Sequence, residues 1–358
     1  MILKGAEPFS ENARVKHKIL LRVLSGESVS PAPIWLMRQA GRYLPEYRAV
    51  RAKAGSFLDL CYNPELAVEV TMQPIRRFGF DASIIFSDIL VIPHALGMHL
   101  EYREGEGPVL TPVRTVEDVA KLRIDRLEEH LAPVYAAIRG LATALPREAT
   151  LIGFAGAPWT VAAYMVEGQG GTDHATLIRW AWRDPQGFAA LIGLLVDATA
   201  RHMIAQIRAG AEVVQLFESW ASAAPDALFR RWCVEPVAEI VRRVRAVAPD
   251  VPIIGFPRGT GGALARYAAD TGVNGVGVDQ GTSMAVARSQ MPKGVALQGN
   301  LDPLVLVQGG AALNEEVRRI VDAMAGAPHV FNLGHGIRQD TPPEHVVQLI
   351  EQVRTYRP

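Results

Sequence analysis

The chain has 358 residues, 49% of them hydrophobic and 21% charged, enough apolar material to bury a large core without metals or disulfides. Its 37 basic and 37 acidic side chains cancel at neutral pH. That balance excludes the cationic excess by which nucleic-acid binders coat phosphates, and argues equally against a polybasic membrane-surface protein.

In chain order, the first predicted strand is Ile34–Met37. Asn63-Pro64 then opens a helix that Pro74, lying inside it, should kink. Strands follow at Ala82–Phe86 and Leu151–Phe154. Asp184-Pro185 reads as the cap and first turn of a helix with Phe188, Leu191, Ile192 and Leu195 on one face. Gly210 suits its C-terminal cap, where a left-handed residue is wanted. After a strand at Val213–Phe217, helical spacing returns at Val237, Ile240, Val241, Val244 and Val247. Strands at Pro252–Phe256, Val276–Val278 and Val295–Gln298 come next. Asn314 reads as the cap of a helix carrying Val317, Ile320, Val321 and Met324, before a last strand at Val330–Leu333.

Eight strands alternating with helices define an α/β class and predict a single-domain (β/α)8 TIM barrel over residues 1–358. A doubly wound open sheet would carry a glycine fingerprint after an early strand. The nearest match, Gly275-x-Gly277, comes late and lacks the third glycine.

The two cysteines, Cys61 and Cys233, are too few for a disulfide framework or a four-thiolate metal site, and are expected as small buried hydrophobes. The opening MILKGAEPFSENARVKHK has no apolar signal core, and the longest nonpolar run, Gly187 to Val196, is about half a bilayer span. A soluble cytoplasmic protein is the expectation.

A barrel places its chemistry at the C-terminal strand ends. Those ends carry Arg38 to Arg42, Ser87-Asp88, Glu218-Ser219, Arg258, Asp279, Asn300 and Gly334-His335-Gly336. From Arg38 to Lys53 five cations face only Glu46, a local charge of +4. Arg48, Arg51 and Lys53 fit a solvated helix face equally well. Arg38 and Arg42, beside Gly41 after an apolar strand, call for an anion that a guanidinium fork can grip, such as carboxylate or phosphate. Asp88 lies between two apolar runs, where a carboxylate needs a partner. It suits either an arginine salt bridge or an anion that meets N–H donors or developing positive charge. His94 and His99 have the wrong spacing for two ligands on one helix turn, and no H-E-x-x-H motif occurs, so no metal is expected.

The segment from Ile34 to Glu46, IWLMRQAGRYLPE, resembles the signature of the uroporphyrinogen decarboxylase family, and so does FSDIL at 86–90. The runs FAGAPWT (154–160), YMVEG (164–168), QLFES (215–219), LQGNLDP (297–303) and FNLGHG (331–336) are similar to the same family in the same order. The resemblance implies a cofactor-free carboxy-lyase, commonly a homodimer, acting on a tetrapyrrole. Its substrate would be uroporphyrinogen III, whose four acetates become the methyls of coproporphyrinogen III. By motif, Arg38, Gln39, Ala40, Gly41 and Arg42 would line the pocket and Arg51 would add a peripheral carboxylate contact. Asp88 would be the main catalytic residue with Arg38 beside it, and Tyr164, Ser219 and His335 would contact substrate. Methyltransferases that share this barrel hold zinc with His and Cys near the last strands. This chain has no Cys after Cys233. Gln280 and the run Arg258 to Gly262 depart locally from the family pattern.

Overall fold

A computed structural model describes residues 18–103 and 105–358. Residues 1–17, most of the opening segment read for a signal core, lie outside the described residues. The strands are β1 (Ala82–Ile84), β2 (Leu100–Arg103), β3 (Gly107–Leu110), β4 (Thr150–Gly156), β5 (Val213–Glu218), β6 (Ile253–Pro257), β7 (Gly275–Gly277), β8 (Ala296–Gln298) and β9 (His329–Val330). Strands β2 and β3 form a small antiparallel hairpin. The other seven run parallel in the order β1-β4-β5-β6-β7-β8-β9.

Ile34 closes this sheet into a (β/α)8 barrel. It bridges Phe331 in parallel on one side, and its carbonyl accepts the Asp81 N–H at 3.0 Å on the other. The predicted four-residue strand therefore contracts to one bridging position. Pro31 and Pro33 have no N–H to give to a ladder. Side chains then take over the backbone donors. The Ile34 N–H donates to Asp81 Oδ2 at 2.8 Å, Leu36 N–H to Gln39 Oε1 at 3.1 Å, and Met37 N–H to Asn332 Oδ1 at 2.9 Å. A second departure has the same origin: β1 stops at Ile84, because the Phe86 N–H donates to the Thr71 hydroxyl at 2.9 Å.

The helix Pro64–Phe78 is capped by the Asn63 side chain and continues past Pro74. Asp184 caps the helix Pro185–Ala209, accepting the Gly187 N–H at 2.9 Å, and Gly210 ends it at φ 120°. This helix is long and apolar enough to span a bilayer by length and composition. It lies instead against β4 and the helices Ala132–Ala144 and Glu235–Val247, burying Phe188, Leu191 and Leu195. Asn314 is not a cap. Its helix, Gly310–Ala323, starts after the left-handed Gly309. The Asn314 side chain accepts from Gln348 Nε2 at 2.8 Å, tying this helix to Pro343–Thr355.

Two apolar layers result. Between strands and helices runs the larger core, which includes Cys233, and both Cys233 and Cys61 are buried and free. Inside the barrel Trp35, Ile84, Ile152, Phe217, Ile254 and Phe256 pack together. The six-residue helix Ile19–Leu24 is too short to persist alone. Leu20, Leu21, Val23 and Leu24 join the barrel interior, each burial worth about 1.5–3 kcal/mol, and plug the end opposite the mouth. One polar thread crosses the interior, from Trp35 Nε1 to Gln298 Oε1 (3.0 Å) and from Gln298 Nε2 to Gln215 Oε1 (3.1 Å).

Candidate active site

Asp88 follows β1 at the barrel mouth, where the chain turns into the short helix Val91–Ala95. The Leu90 N–H donates to Asp88 Oδ1 at 2.8 Å, fixing the half-buried carboxylate in an Asx-type turn. Burial raises its pKa above the ordinary carboxylate value, opposed by Tyr102, the Leu90 N–H and the positive charge of Arg38. The buried Tyr102 hydroxyl lies beside Asp88 without closing a normal hydrogen bond. Asp88 has no salt-bridge partner among the described residues.

Arg38 faces it, and its backbone stands at φ 64°. A side chain in this left-handed region costs roughly 1–2 kcal/mol, so the position is held by what surrounds it. Two glycines make the room. A Cβ at Gly41 would stand 2.8 Å from the Arg38 carbonyl oxygen, and one at Gly336 would stand 2.4 Å from Arg38 Cδ. Many arginines elsewhere on the surface pair with an acid, as Arg77 does with Glu46 at 3.2 Å. Among the described residues neither Arg38, Arg42 nor Arg258 forms a salt bridge.

His335 comes from the opposite wall. Burial, then the charges of Arg38 and Arg258, lower its pKa to about 4, so the imidazole is neutral at pH 7. Its buried Nδ1 has no hydrogen-bond partner among the described residues. Tyr164, on the helix Pro158–Glu167, feels both Asp88 and Arg38, although burial dominates and raises its pKa. Its ring lies 6.1 Å from that of Trp220, the neighbour of Ser219 at the end of β5. Arg38, Asp88, Tyr164 and His335 thus share one mouth, and Ser219 borders it.

The remaining expected residues are placed differently. The Gln39 side chain is fully buried and engaged in barrel closure, accepting from Leu36 N–H and donating to the Ala82 carbonyl at 3.2 Å. Ala40 is half-buried in the turn before Gly41. Arg42 and Arg51 flank Tyr47, whose ring packs 5.6 Å from Phe86. Arg51 also donates to the Gly55 carbonyl at 2.6 Å, and Arg48 braces the loop by donating to the Arg42 carbonyl at 2.7 Å.

Sequence reasoning missed Tyr102, carried by the β2–β3 hairpin. Its ring sits 4.6 Å from Phe57, which meets Phe86 at 5.8 Å, so three aromatics wall the mouth beside Asp88. Turn glycines at 105 and 107 were the available signal. Asp279, at the end of β7, accepts from the Gly259 and Gly281 N–H groups at 2.8 and 2.9 Å, and so shapes loops. Among the described residues no group of three or more His, Cys, Asp or Glu could hold a metal ion. His94 and His130 do meet, with 3.1 Å between ring nitrogens, as a pair shared with the Tyr62 hydroxyl. A cleft of about 70 Å³ beside Pro31, His329 and Tyr356 lies at the opposite end of the barrel and contains none of the mouth residues.

Fold and site together define a (β/α)8-barrel enzyme with a cationic mouth around one half-buried carboxylate. The family model for uroporphyrinogen decarboxylase (URO-D) matches residues 16–356. The chain belongs to the uroporphyrinogen decarboxylase family, whose members are carboxy-lyases that need no cofactor. It is 55% identical over 340 residues to the uroporphyrinogen decarboxylase of Mesorhizobium japonicum, covering 95% of this chain and 98% of the relative. Identity to that of Rhodospirillum rubrum is 51% over 340 residues, with the same coverage. A methyltransferase from Methanosarcina mazei superposes with a TM-score of 0.79 over 93% of this chain and 96% of its own, at 20% identity, a likeness of fold alone.

Proposed function

We propose that this mouth removes carbon dioxide from the four acetate side chains of uroporphyrinogen III, giving coproporphyrinogen III in tetrapyrrole biosynthesis. The observation that carries the reading is Asp88, a half-buried carboxylate that, like the Arg38 it faces, has no salt bridge among the described residues. A cyclic tetrapyrrole with a carboxylate-studded rim and N–H groups at its centre matches both. The rim meets arginine, and the central N–H groups meet Asp88.

Breaking the bond between an acetate methylene and its carboxylate leaves an electron pair that must go somewhere. Protonation of a pyrrole carbon turns the ring into an iminium-like cation that accepts this pair as carbon dioxide leaves. A proton then completes the methyl, and the ring gives up its own added proton, so each acetate consumes one proton net. The Asp88 carboxylate stabilises the cationic ring, which forms only on the reaction path. One such preorganised group is worth about 2.7–4 kcal/mol. Arg38 serves as a counter-ion to a substrate carboxylate, which its guanidinium fork can grip with two parallel hydrogen bonds. Arg42 and, further out, Arg51 extend the cationic rim, with the backbone of Gln39, Ala40 and Gly41 forming the turn between them. Tyr164, Ser219 and the neutral His335 donate hydrogen bonds to substrate carboxylates. The working unit in this reading is one barrel domain, acting in the cytoplasm as a homodimer.

The test is anaerobic incubation with freshly reduced uroporphyrinogen III, followed by oxidation and separation of products by carboxylate number. Species with seven, six, five and four carboxylates are expected, and their absence overturns the reading. Asp88→Asn should keep the fold and lower kcat by about 10²–10³. Normal turnover by that variant removes Asp88 from the role given to it.

A further inference from the structure

Beneath the mouth lies an acid that the mechanism does not use. Glu218, the last residue of β5, is fully buried. Its Oε1 accepts the Thr160 N–H at 2.6 Å and also the Thr160 hydroxyl. Thr160 lies in the first turn of the helix Pro158–Glu167, so Glu218 satisfies a donor that a helix start leaves open. The same hydroxyl accepts the Trp220 N–H at 3.1 Å, while the Trp220 carbonyl accepts from Trp159 Nε1 at 3.1 Å. Ser219 and Trp220 are thereby held at both ends, and Trp220 supports the Tyr164 ring. Among the described residues Glu218 Oε2 is buried without a partner, as is the Tyr267 hydroxyl.

We propose that Glu218 is the positioning residue of this wall, fixing Ser219, Trp220 and Tyr164 through Thr160 without itself meeting the substrate. This rests on the substrate-binding roles given above to Ser219 and Tyr164. A neutral acid fits the network: Oε1 takes both Thr160 donors and the proton resides on Oε2. Burial supports that form, raising the Glu218 pKa to about 8 against the pull of Thr160. Ionisation would place an unpaired charge in a dry site and disturb the segment above it. The other titratable groups packed around it lie outside this range. Burial lifts Cys233 and Tyr267 far above it and Tyr164 above its ordinary value. His174, whose ring lies 4.8 Å from Trp220, is lowered by burial below its ordinary value.

The experiment uses the full chain labelled with 5-fluorotryptophan, with the Trp220 resonance identified by its loss in Trp220→Phe. In the unsubstituted chain this resonance should shift with a midpoint near pH 8, and KM should rise through the same midpoint. Glu218→Gln, which preserves the Oε1 acceptor, should keep KM at pH 7 and abolish both transitions. Glu218→Ala should raise KM about tenfold with kcat little changed. Thr160→Val, which removes only the linking hydroxyl, should reproduce that rise and decides the matter if Glu218→Ala does not fold. A transition that persists in Glu218→Gln, or an unchanged KM in a folded Thr160→Val, overturns the proposal. Absence of decarboxylation in the unsubstituted chain would refute the functional reading and leave the fluorine titration standing.

Discussion

Arg38 shows how much of the mouth depends on single atoms. Its place after an apolar strand marked it as an anion-gripping side chain, but nothing in its neighbours announced a left-handed backbone. The glycine that frees its side chain is Gly336, almost 300 residues away and brought near only by barrel closure. Gly336→Ala would put a methyl against the middle of the Arg38 stem, which its fixed backbone cannot swing clear. The expected result is a folded protein whose KM rises about tenfold or more, read by steady-state kinetics beside a circular dichroism spectrum. An unchanged KM would show that the guanidinium adapts. Gln39 carries the opposite lesson. It sits inside the same motif as Arg38, yet its amide is spent on backbone groups. Motif membership does not say which way a side chain points.

At the scale of elements, seven of the eight expected strands occur at or within a few residues of their β-branched runs. Burial on both faces makes such strands continuously apolar, a signal local enough to read. Lengths were less legible, because side chains from distant segments end the ladders: Thr71 stops β1, and Asn332 and Gln39 replace the first strand's partners. Asn332 is the most exposed to test. Its Oδ1 accepts from Met37 N–H at 2.9 Å and Leu333 N–H at 2.7 Å, both buried. Asn332→Ala would orphan these donors and cost about 1–3 kcal/mol each, measured by urea unfolding. A loss below about 0.5 kcal/mol would mean that water or relaxation replaces the amide. The β2–β3 hairpin escaped the sequence reading because it is an insertion between barrel units, with only turn glycines to mark it.

For the whole molecule, balanced charge hides unusual buried groups. His202, His329 and His335 are pushed down to about 3, 4 and 4, first of all by burial. Unfolded histidine binds its proton near pH 6.5, so the unfolded chain gains protons as pH falls below that value while the folded chain refuses them. Stability is then lost toward acid by about 1.4 kcal/mol per pH unit for each group, until the folded pKa is reached. Glu218 acts in the opposite sense. Its folded pKa, raised to about 8, confers stability at low pH that is lost between its ordinary value of 4.5 and about 8. Together these four groups place maximum stability just below pH 7, where the waning slopes of the three histidines come to equal the opposing slope of Glu218. Urea midpoints from pH 5 to 9 should show that maximum, and a midpoint still rising between pH 7 and 8 would contradict it.

Sequence by itself determined the alternation of strands and helices, the absence of a cysteine framework, the family signatures and the local +4 charge beginning at Arg38. Each of these is encoded by neighbours along the chain. Tertiary structure alone decided that Ile34 closes the barrel, that Gln39 faces the wall rather than the mouth, that Tyr102 stands beside Asp88, and that Glu218 lies beneath Ser219. The reason is that a polar side chain's partner is set by which atoms burial brings within about 3 Å, and in this barrel those atoms come from segments far apart in sequence.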